Sequence, residues 1–195
     1  MVARKRKDFL WVGNTPALDF VNTEIVQNGC LVDMLAAPDD LAAWIRYAGF
    51  NLHAQIGGVR GLEAGLRLAK QFRTILREGL DQLLKTSSLP LAVISATNGY
   101  MERAGERRKL VKRAQGVELR SYWRIESAAG YVAPIATSFA RFIAHVDLSR
   151  VRKCKNPACI LYFYDMSRSG TRTWCSLDIC GNKMRMAAFR GRQRN

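Results

Sequence analysis

The chain has few histidines and no long apolar segment, and each of these absences excludes a class of protein. No run of about 18 apolar residues occurs within its 195 residues, so the sequence predicts no membrane-spanning helix. The basic start, residues 1–7, is not followed by the apolar stretch of a secretory signal, which predicts a cytoplasmic protein with reduced cysteines. The two histidines, His53 and His145, lie far along the chain from most of the cysteines, which argues against a catalytic zinc site.

Motifs of enzyme chemistry are also missing from the sequence. It contains no glycine-rich phosphate loop, no nucleophile paired with a base and no pair of carboxylates at an informative spacing. The sequence therefore predicts that the protein is not an enzyme. A hydrolase assembled from distant residues, such as Asp19, His53 and Glu63, stays open as an alternative.

Acidic residues are scarce, and the excess of basic residues is concentrated in two segments. The chain has 31 Lys and Arg residues against 16 Asp and Glu, a net charge of +15. Residues 150–195 carry 11 basic and 2 acidic side chains, and residues 102–124 carry 8 and 3. Such a surface suits a polyanion, although a solvated basic face that keeps the protein soluble is the alternative. Because the charge is concentrated rather than spread, we predict a nucleic-acid partner, most simply DNA.

Four of the five cysteines form two matched pairs near the C-terminus. Each pair has the spacing C-x4-C, and fifteen residues separate the pairs, which consist of Cys154, Cys159, Cys175 and Cys180. Two short loops that each present two sulfurs can supply the tetrahedral thiolate set that zinc prefers. Disulfides or four unrelated buried thiols are the alternatives, but a reduced compartment disfavours the first. We predict one structural zinc ion and interpret Cys30 as a small buried side chain.

The sequence around these cysteines resembles a known bacterial zinc finger. Residues 180–183 read CGNK after WCS at 174–176, and they are similar to the CGNR zinc finger, with Lys183 in place of the usual arginine. Lysine keeps the charge but loses the planar fork of arginine. Residues 13–23, GNTPALDFVNT, resemble the opening of the ABATE domain that precedes this finger, as do Asp33, Asp39, Asp40, Leu41 and Trp44. The resemblance implies a bacterial regulator of transcription in the stress response.

A basic helix is predicted after the last cysteine pair, over residues 177–192, with Ser176 as its N-cap. Side chains seven residues apart lie about 20° apart around a helix, which gives one basic row with Lys183 and Arg190 and a second with Arg185 and Arg192. The predicted nucleic-acid-binding residues are Arg172, Lys183, Arg185, Arg190, Arg192 and Arg194. The alternative for Arg172 is that it balances the charge of the zinc thiolates. The predicted buried side of the helix consists of Leu177, Met184 and Ala188.

Hydrophobic periodicity predicts an α+β fold that is predominantly α-helical. Helices are expected near residues 17–27, 38–48, 59–85, 90–105 and 132–145, the third either continuous or broken at Gly79. A basic β-hairpin is expected near residues 107–125, where one of Tyr122 and Trp123 must face the core. We therefore predict a helical N-terminal domain with a β-hairpin, 1–148, and a small four-cysteine zinc finger, 149–195. Because no flexible linker separates them, the two parts should pack together.

Polar residues inside the apolar N-terminal stretch are candidates for a ligand pocket. The candidate set is Asp19, Asn22 and Trp44. Helix capping and buried hydrogen bonding is the interpretation we favour for the first two, and core packing for Trp44. The predicted function is a DNA-binding regulator whose N-terminal domain senses a signal or forms a homodimer, with any small-molecule effector unknown. The alternative is an RNA- or ribosome-associated basic zinc protein.

Overall fold

The structure is a computed structural model that describes residues 6–54 and 58–193. Its helices are α1 (Pro16–Val21), α2 (Pro38–Tyr47), α3 (Gly58–Thr86), α4 (Leu91–Met101), α5 (Ala133–His145) and α6 (Asn182–Gln193). Its strands are β1 (Glu24–Gln27), β2 (Cys30–Asp33), β3 (Leu52–Ala54), β4 (Glu106–Lys112), β5 (Val117–Ile125), β6 (Val151–Lys153) and β7 (Tyr162–Tyr164). The fold is α+β and rich in helix, as predicted. Among the described helices, none combines the length and apolar character needed to cross a bilayer.

Helix α3 forms the spine of the core, and it is continuous. Its buried side chains recur every three or four residues, as an amphipathic helix requires: Leu66, Ala69, Phe72, Leu76, Leu80 and Leu83. Gly79 does not break the helix but lets α4 approach it closely. A Cβ at Gly79 would lie 2.4 Å from Cγ2 of Val93, so the close packing of the two helices requires glycine at this position.

The predicted first helix is shorter than expected because its second half forms a strand. Helix α1 ends at Val21, and β1 pairs antiparallel with β2 through the turn at Asn28 and Gly29. Both turn residues have positive φ, 52° and 79°, as a tight hairpin of the Asn-Gly type requires. The expectation that Cys30 is buried was wrong, because this hairpin holds its side chain exposed.

A buried arginine ties this first hairpin to the spine. Arg73 of α3 is 4% exposed and donates to both carboxylate oxygens of Asp33, at 2.8 and 2.9 Å. Lys70 adds a salt bridge to Asp33 at 2.9 Å. Burial by itself raises the pKa of Asp33, but hydrogen bonds from Arg73 and Lys70 outweigh it and lower that pKa to about 2. The carboxylate is therefore charged throughout the physiological range.

The predicted basic hairpin is confirmed, and a third strand extends it. Strands β4 and β5 pair antiparallel, and β3 adds to β5 in parallel, giving the order β3-β5-β4. Trp123 is buried in the core, whereas Tyr122 points to the opposite face and is half-buried. The pair of adjacent aromatics is thus divided between the two faces, as the alternation of a strand requires.

The cysteine-rich segment packs against the N-terminal part through Asn22. The fully buried Asn22 side chain donates to the backbone oxygen of Tyr162 at 2.8 Å and accepts from its backbone nitrogen at 2.9 Å. Tyr162 itself lies in the main hydrophobic core. Arg77 of α3 reinforces the contact by donating to the backbone oxygens of Val21 and Ile160. The expected packing of the two parts is present, while the boundary near residue 148 stays a prediction.

We expect Asn22→Ala to destabilise the protein by about 2–4 kcal/mol, because it leaves two buried backbone groups of Tyr162 without partners. Asn14→Gly is the matched control. It removes one exposed hydrogen bond, from Asn14 Nδ2 to the Tyr164 oxygen, and tolerates the positive φ of 63° at that position. Urea unfolding of both variants measures the difference. A loss at Asn22 no larger than that at Asn14 would contradict the role of Asn22.

Candidate zinc centre and basic helix

Two loops bring the four predicted cysteine ligands together. Cys154 follows β6 directly, and its backbone nitrogen donates to the Leu161 oxygen at 2.9 Å. A tight turn at Asn156 returns the chain to Cys159, whose nitrogen donates to the Asn156 oxygen. The second loop supplies Cys175 and Cys180 from the start of the C-terminal helical segment. In each C-x4-C pair a single turn of the backbone thus brings the second cysteine back to the first.

The separations of the sulfurs match a tetrahedral zinc site. The four Sγ atoms lie within 4.8 Å of one another. The Cys159–Cys175 separation is 3.8 Å and the Cys175–Cys180 separation is 3.6 Å. Four sulfurs at about 2.3 Å from one zinc ion stand about 3.8 Å apart. A disulfide bond needs about 2 Å, so these distances fit a shared metal and not a disulfide.

Two donors from the protein partly neutralise the sulfurs. Nδ2 of Asn156 lies 3.2 Å from Sγ of Cys180, and the backbone nitrogen of Cys175 lies 3.4 Å from Sγ of Cys154. Such contacts orient thiolate ligands and spread the double negative charge of a four-thiolate zinc site. The contact of Asn156 with Cys180 spans 24 residues and has no local signal in the sequence.

A small second hydrophobic core surrounds the cysteines. Leu161 and Phe163 are buried beside them, and Leu10, Val12 and Ile25 of the N-terminal part complete the cluster. The metal loops are therefore covered by side chains from both parts of the chain. A closed, buried site of this kind suits a structural metal rather than a catalytic one.

A short π-helical turn, Leu177–Gly181, connects the metal site to α6. Ser176 caps it, as predicted, by accepting from the backbone nitrogens of Asp178 and Ile179. The nitrogens of Cys180 and Gly181 both donate to the Ser176 oxygen, so one extra residue is accommodated in this turn. Cys180 is thereby directed inward to the other sulfurs, and α6 begins two residues later. The metal site fixes the N-terminus of the helix.

Helix α6 exposes nearly all of its described side chains to solvent. None of its residues from 182 to 193 is buried. The predicted buried side was partly wrong: Leu177 is 61% exposed and Ala188 is exposed, while Met184 is half-buried. Met186 and Phe189, 53% and 49% exposed, are the large apolar residues that the helix leaves open. Such exposure is unusual for a helix that only stabilises a fold.

The basic side chains of α6 form two rows with this apolar strip between them. At about 100° per residue, Lys183 and Arg190 lie on one side of the strip, and the second row lies on the other. The described cations of both rows are exposed: Lys183, Arg185, Arg190 and Arg192. None of them forms a salt bridge with another described residue, so their charge is directed outward. Arg194, predicted to extend the first row, lies outside the described residues.

Arg172 has a different environment from the helix cations. Its guanidinium lies 4.3 Å from the centre of the Phe163 ring and donates to the backbone oxygens of Trp174 and Cys175. A further contact reaches the Val12 oxygen at 3.4 Å. The side chain is half-buried and joins the metal loop to the N-terminal segment. Arg172 therefore contributes to the fold of the finger.

The three candidate pocket residues lie in the packed interior. Trp44 is fully buried between Trp11 and Phe20, with ring centroids at 6.0 and 5.2 Å. Asn22 holds Tyr162, and Asp19 accepts from the Gly13 nitrogen at 2.7 Å. Burial raises the pKa of Asp19 to about 6, although hydrogen bonds from the Gly13 and Val12 backbone act in the opposite direction. The structure gives each of these residues a partner within the protein.

Two family profiles match the chain. The profile described as "CGNR zinc finger" matches residues 150–193. The ABATE profile, described as "Putative stress-induced transcription regulator", matches residues 14–146, more than half of the chain. None of the curated proteins compared with the chain matches it. Both resemblances drawn from the sequence are confirmed, and the finger together with the four-sulfur geometry supports one structural zinc ion.

We expect the purified protein to contain one zinc ion per chain, and Cys180→Ser to lose it together with part of the helical signal. Cys30→Ser is the matched control and should retain the metal, because Cys30 is exposed and not a member of the cluster. Elemental analysis and far-ultraviolet circular dichroism measure both effects. In the zinc-loaded protein one thiol should react with a thiol reagent, and all five should react after chelation. Full zinc content in Cys180→Ser would contradict this ligand set.

The raised pKa of Asp19 predicts a pH-dependent stability. At pH 5 the folded carboxyl is largely protonated while the unfolded one is ionised. This preferential binding of a proton stabilises the native state relative to pH 8, where the carboxyl is ionised in both states. This contribution is complete below the unfolded pKa of 3.8 and is lost as the pH rises through about 6. Between pH 5 and pH 8 the wild type should lose about 1 kcal/mol of unfolding free energy relative to Asp19→Asn.

Asp33→Asn is the control for this measurement. Because the pKa of Asp33 is lowered to about 2, its carboxylate is ionised in both states from pH 5 to pH 8. The difference between wild type and Asp33→Asn should therefore stay constant across that range, although the variant is less stable. Urea unfolding at several pH values measures both variants. A constant difference at Asp19 would show that its carboxyl titrates normally.

Proposed function

This chain belongs to the ABATE family, described as "Putative stress-induced transcription regulator", and on that premise we propose that it is a DNA-binding regulator that contacts the duplex through α6. One observation carries the proposal. Helix α6 has no buried residue, and the metal site holds it by its N-terminus with two basic rows and an apolar strip facing outward. A helix that contributes no buried residue to the core keeps exposed Met186 and Phe189 most simply for a partner.

The dimensions of α6 suit the major groove of B-form DNA. Twelve residues extend about 18 Å, and the groove, about 12 Å wide, admits an α-helix. With the strip between the rows directed at the base edges, the two basic rows face the phosphates on either side of the groove. Phosphate contacts of this kind set position and affinity without reading sequence.

The strip between the rows contains the groups that can read bases. Asn182 and Gln193 lie on the same side of the helix as Met186 and Phe189. All four side chains point within about 40° of their common mean direction around the helix axis. Amide side chains pair with adenine edges, and apolar side chains contact the thymine methyl group. These residues therefore favour A·T base pairs at the centre of the site. The deep, narrow major groove of A-form RNA does not admit a helix, so the same surface fits DNA better than duplex RNA.

In this proposal the N-terminal domain senses a signal or forms a homodimer, and the finger contacts DNA. The N-terminal domain shares the Asn22–Tyr162 contact and the second hydrophobic core with the finger. These packing contacts would connect an effector or a second copy bound to this domain with the metal site. Homodimerisation, an effector and a cytoplasmic location stay predictions from the sequence. That the chain is not an enzyme likewise stays a prediction.

The test compares two charge-neutralising double variants of α6 with a matched control on the same finger. Lys183→Gln with Arg190→Gln removes one row, and Arg185→Gln with Arg192→Gln removes the other. Lys155→Gln with Arg168→Gln removes the same charge from exposed loop positions. Binding of the zinc-loaded full chain to genomic DNA fragments and to total RNA is measured across a salt series.

We expect each row variant to weaken DNA binding and to reduce the slope of log K against log salt by about 2, since each phosphate contact contributes about 0.9. The loop control should leave the slope near that of the wild type. Equal losses in all three variants would show that binding depends on diffuse charge and not on α6. Absence of DNA binding, or a clear preference for RNA, would overturn the proposal and favour the RNA-associated alternative.

A further inference from the structure

The outer face of the three-stranded sheet carries a second group of cations, separate from α6. Strand alternation directs Trp123 and Ile125 of β5 into the core and leaves their neighbours on the opposite face. The pairing register places Arg107 beside Tyr122, Lys109 beside Arg120 and His53 beside Arg124. We call this surface the sheet face; it consists of His53, Arg107, Lys109, Arg120, Tyr122 and Arg124.

An aromatic ring lies in the middle of these charges. Nζ of Lys109 stands 5.2 Å from the centre of the Tyr122 ring, and the His53 ring lies 5.7 Å from it at 60°. Tyr122 is half-buried, and His53 and Lys109 are exposed. The His53 ring therefore offers a second flat surface beside Tyr122.

Carboxylates compensate only part of this basic surface. Arg120 pairs with Glu118 at 3.3 Å, and Arg124 pairs with Glu126 at 2.7 Å. Within residues 6–54 and 58–193, Arg107 and Lys109 form no salt bridge. Two exposed cations on β4 thus stand next to Tyr122 with their charge directed at solvent. A face kept only for solubility would not need a ring among them.

We propose that the sheet face binds single-stranded nucleic acid, with a base stacked on Tyr122 and backbone phosphates held by Arg107 and Lys109. Basic residues around an open aromatic ring bind single strands by charge and stacking, without requiring a particular sequence. A paired base has no free ring face to offer, so a duplex cannot make the stacking contact. Lys109, which covers the ring in the free protein, moves to the phosphate when a base takes its place.

This surface is independent of the DNA contact proposed for α6. It lies on β3, β4 and β5, and its ligand is an unpaired strand rather than a groove of duplex DNA. The two proposals can therefore fail separately. Single-stranded RNA and single-stranded DNA share the base and phosphate chemistry that the sheet face recognises, and the experiment compares both.

The first arm of the test uses the two faces of one strand. Arg107→Gln with Lys109→Gln changes the sheet face, and Arg108→Gln with Lys112→Gln removes equal charge from the opposite face of β4. Binding of the full zinc-loaded chain to labelled oligo(dT) and oligo(U) is followed by fluorescence anisotropy across a salt series. We expect the first pair to reduce the slope of log K against log salt by about 1.4, which is two single-strand phosphate contacts, and the second to leave it unchanged.

The second arm tests stacking. Tyr122→Leu should weaken binding about tenfold, whereas Tyr122→Phe, which keeps the ring, should bind within about twofold of the wild type. Photocrosslinking of bromouracil-substituted oligonucleotides should label the β5 peptide that contains Tyr122. Tighter binding of one oligonucleotide identifies RNA or DNA as the preferred strand.

Three results would overturn the inference. Equal effects of the two β4 pairs would show that charge acts without regard to face. Equal binding by Tyr122→Leu and Tyr122→Phe would exclude stacking. Loss of single-strand binding in the α6 row variants, with no loss in the β4 pairs, would place the single strand on α6.

The α6 row variants also separate the two proposals. If they lose binding to duplex DNA and retain binding to the oligonucleotides, both proposed surfaces are supported. If they retain binding to duplex DNA, only the α6 proposal fails.

Discussion

The order of the basic helix depends on the four-sulfur metal site. Helix α6 buries none of its residues, and an isolated helix of twelve residues is only marginally stable in water. What fixes it is its N-terminus, where Cys180 is held among the other sulfurs and Ser176 caps the preceding turn. Strands β6 and β7, three residues each, give the loops little support of their own. The zinc ion therefore supports a surface that it does not touch.

The finger is built into the N-terminal domain rather than attached to it by a linker. Tyr162, between the two cysteine loops, lies in the main core, while Leu10 and Val12 from the start of the chain cover the metal loops. Asn22 closes the contact with two buried hydrogen bonds. A displacement of α1 would break those bonds or carry the cysteine loops with it. That shared packing gives the chain a physical connection between its two parts.

The sequence predicted what depends on local spacing and missed what depends on distant partners. Helices α3 and α5, the hairpin of β4 and β5 and the cysteine set all follow from periodicity or spacing, and all are present. Strand β3 was missed because three residues carry no pattern and pair only with distant β5. The β1–β2 hairpin did carry a signal, Asn28-Gly29 between apolar pairs. The carbonyl contacts that hold Arg172 in place have no sequence signal.

Net charge by itself overstates how much of the basic surface is available to nucleic acid. In the finger, Arg152 and Lys153 pair with Asp165 and Asp81, and Arg172 is held by backbone carbonyls. In the hairpin, Glu118 engages both Arg113 and Arg120. Four of the described cations without a salt bridge lie on α6 and four on β4, and others are spread over α3 and the loops. The two surfaces are therefore distinguished by the groups beside the charge, exposed Met186 and Phe189 on α6 and half-buried Tyr122 on the sheet face, which a polyanion alone would not require.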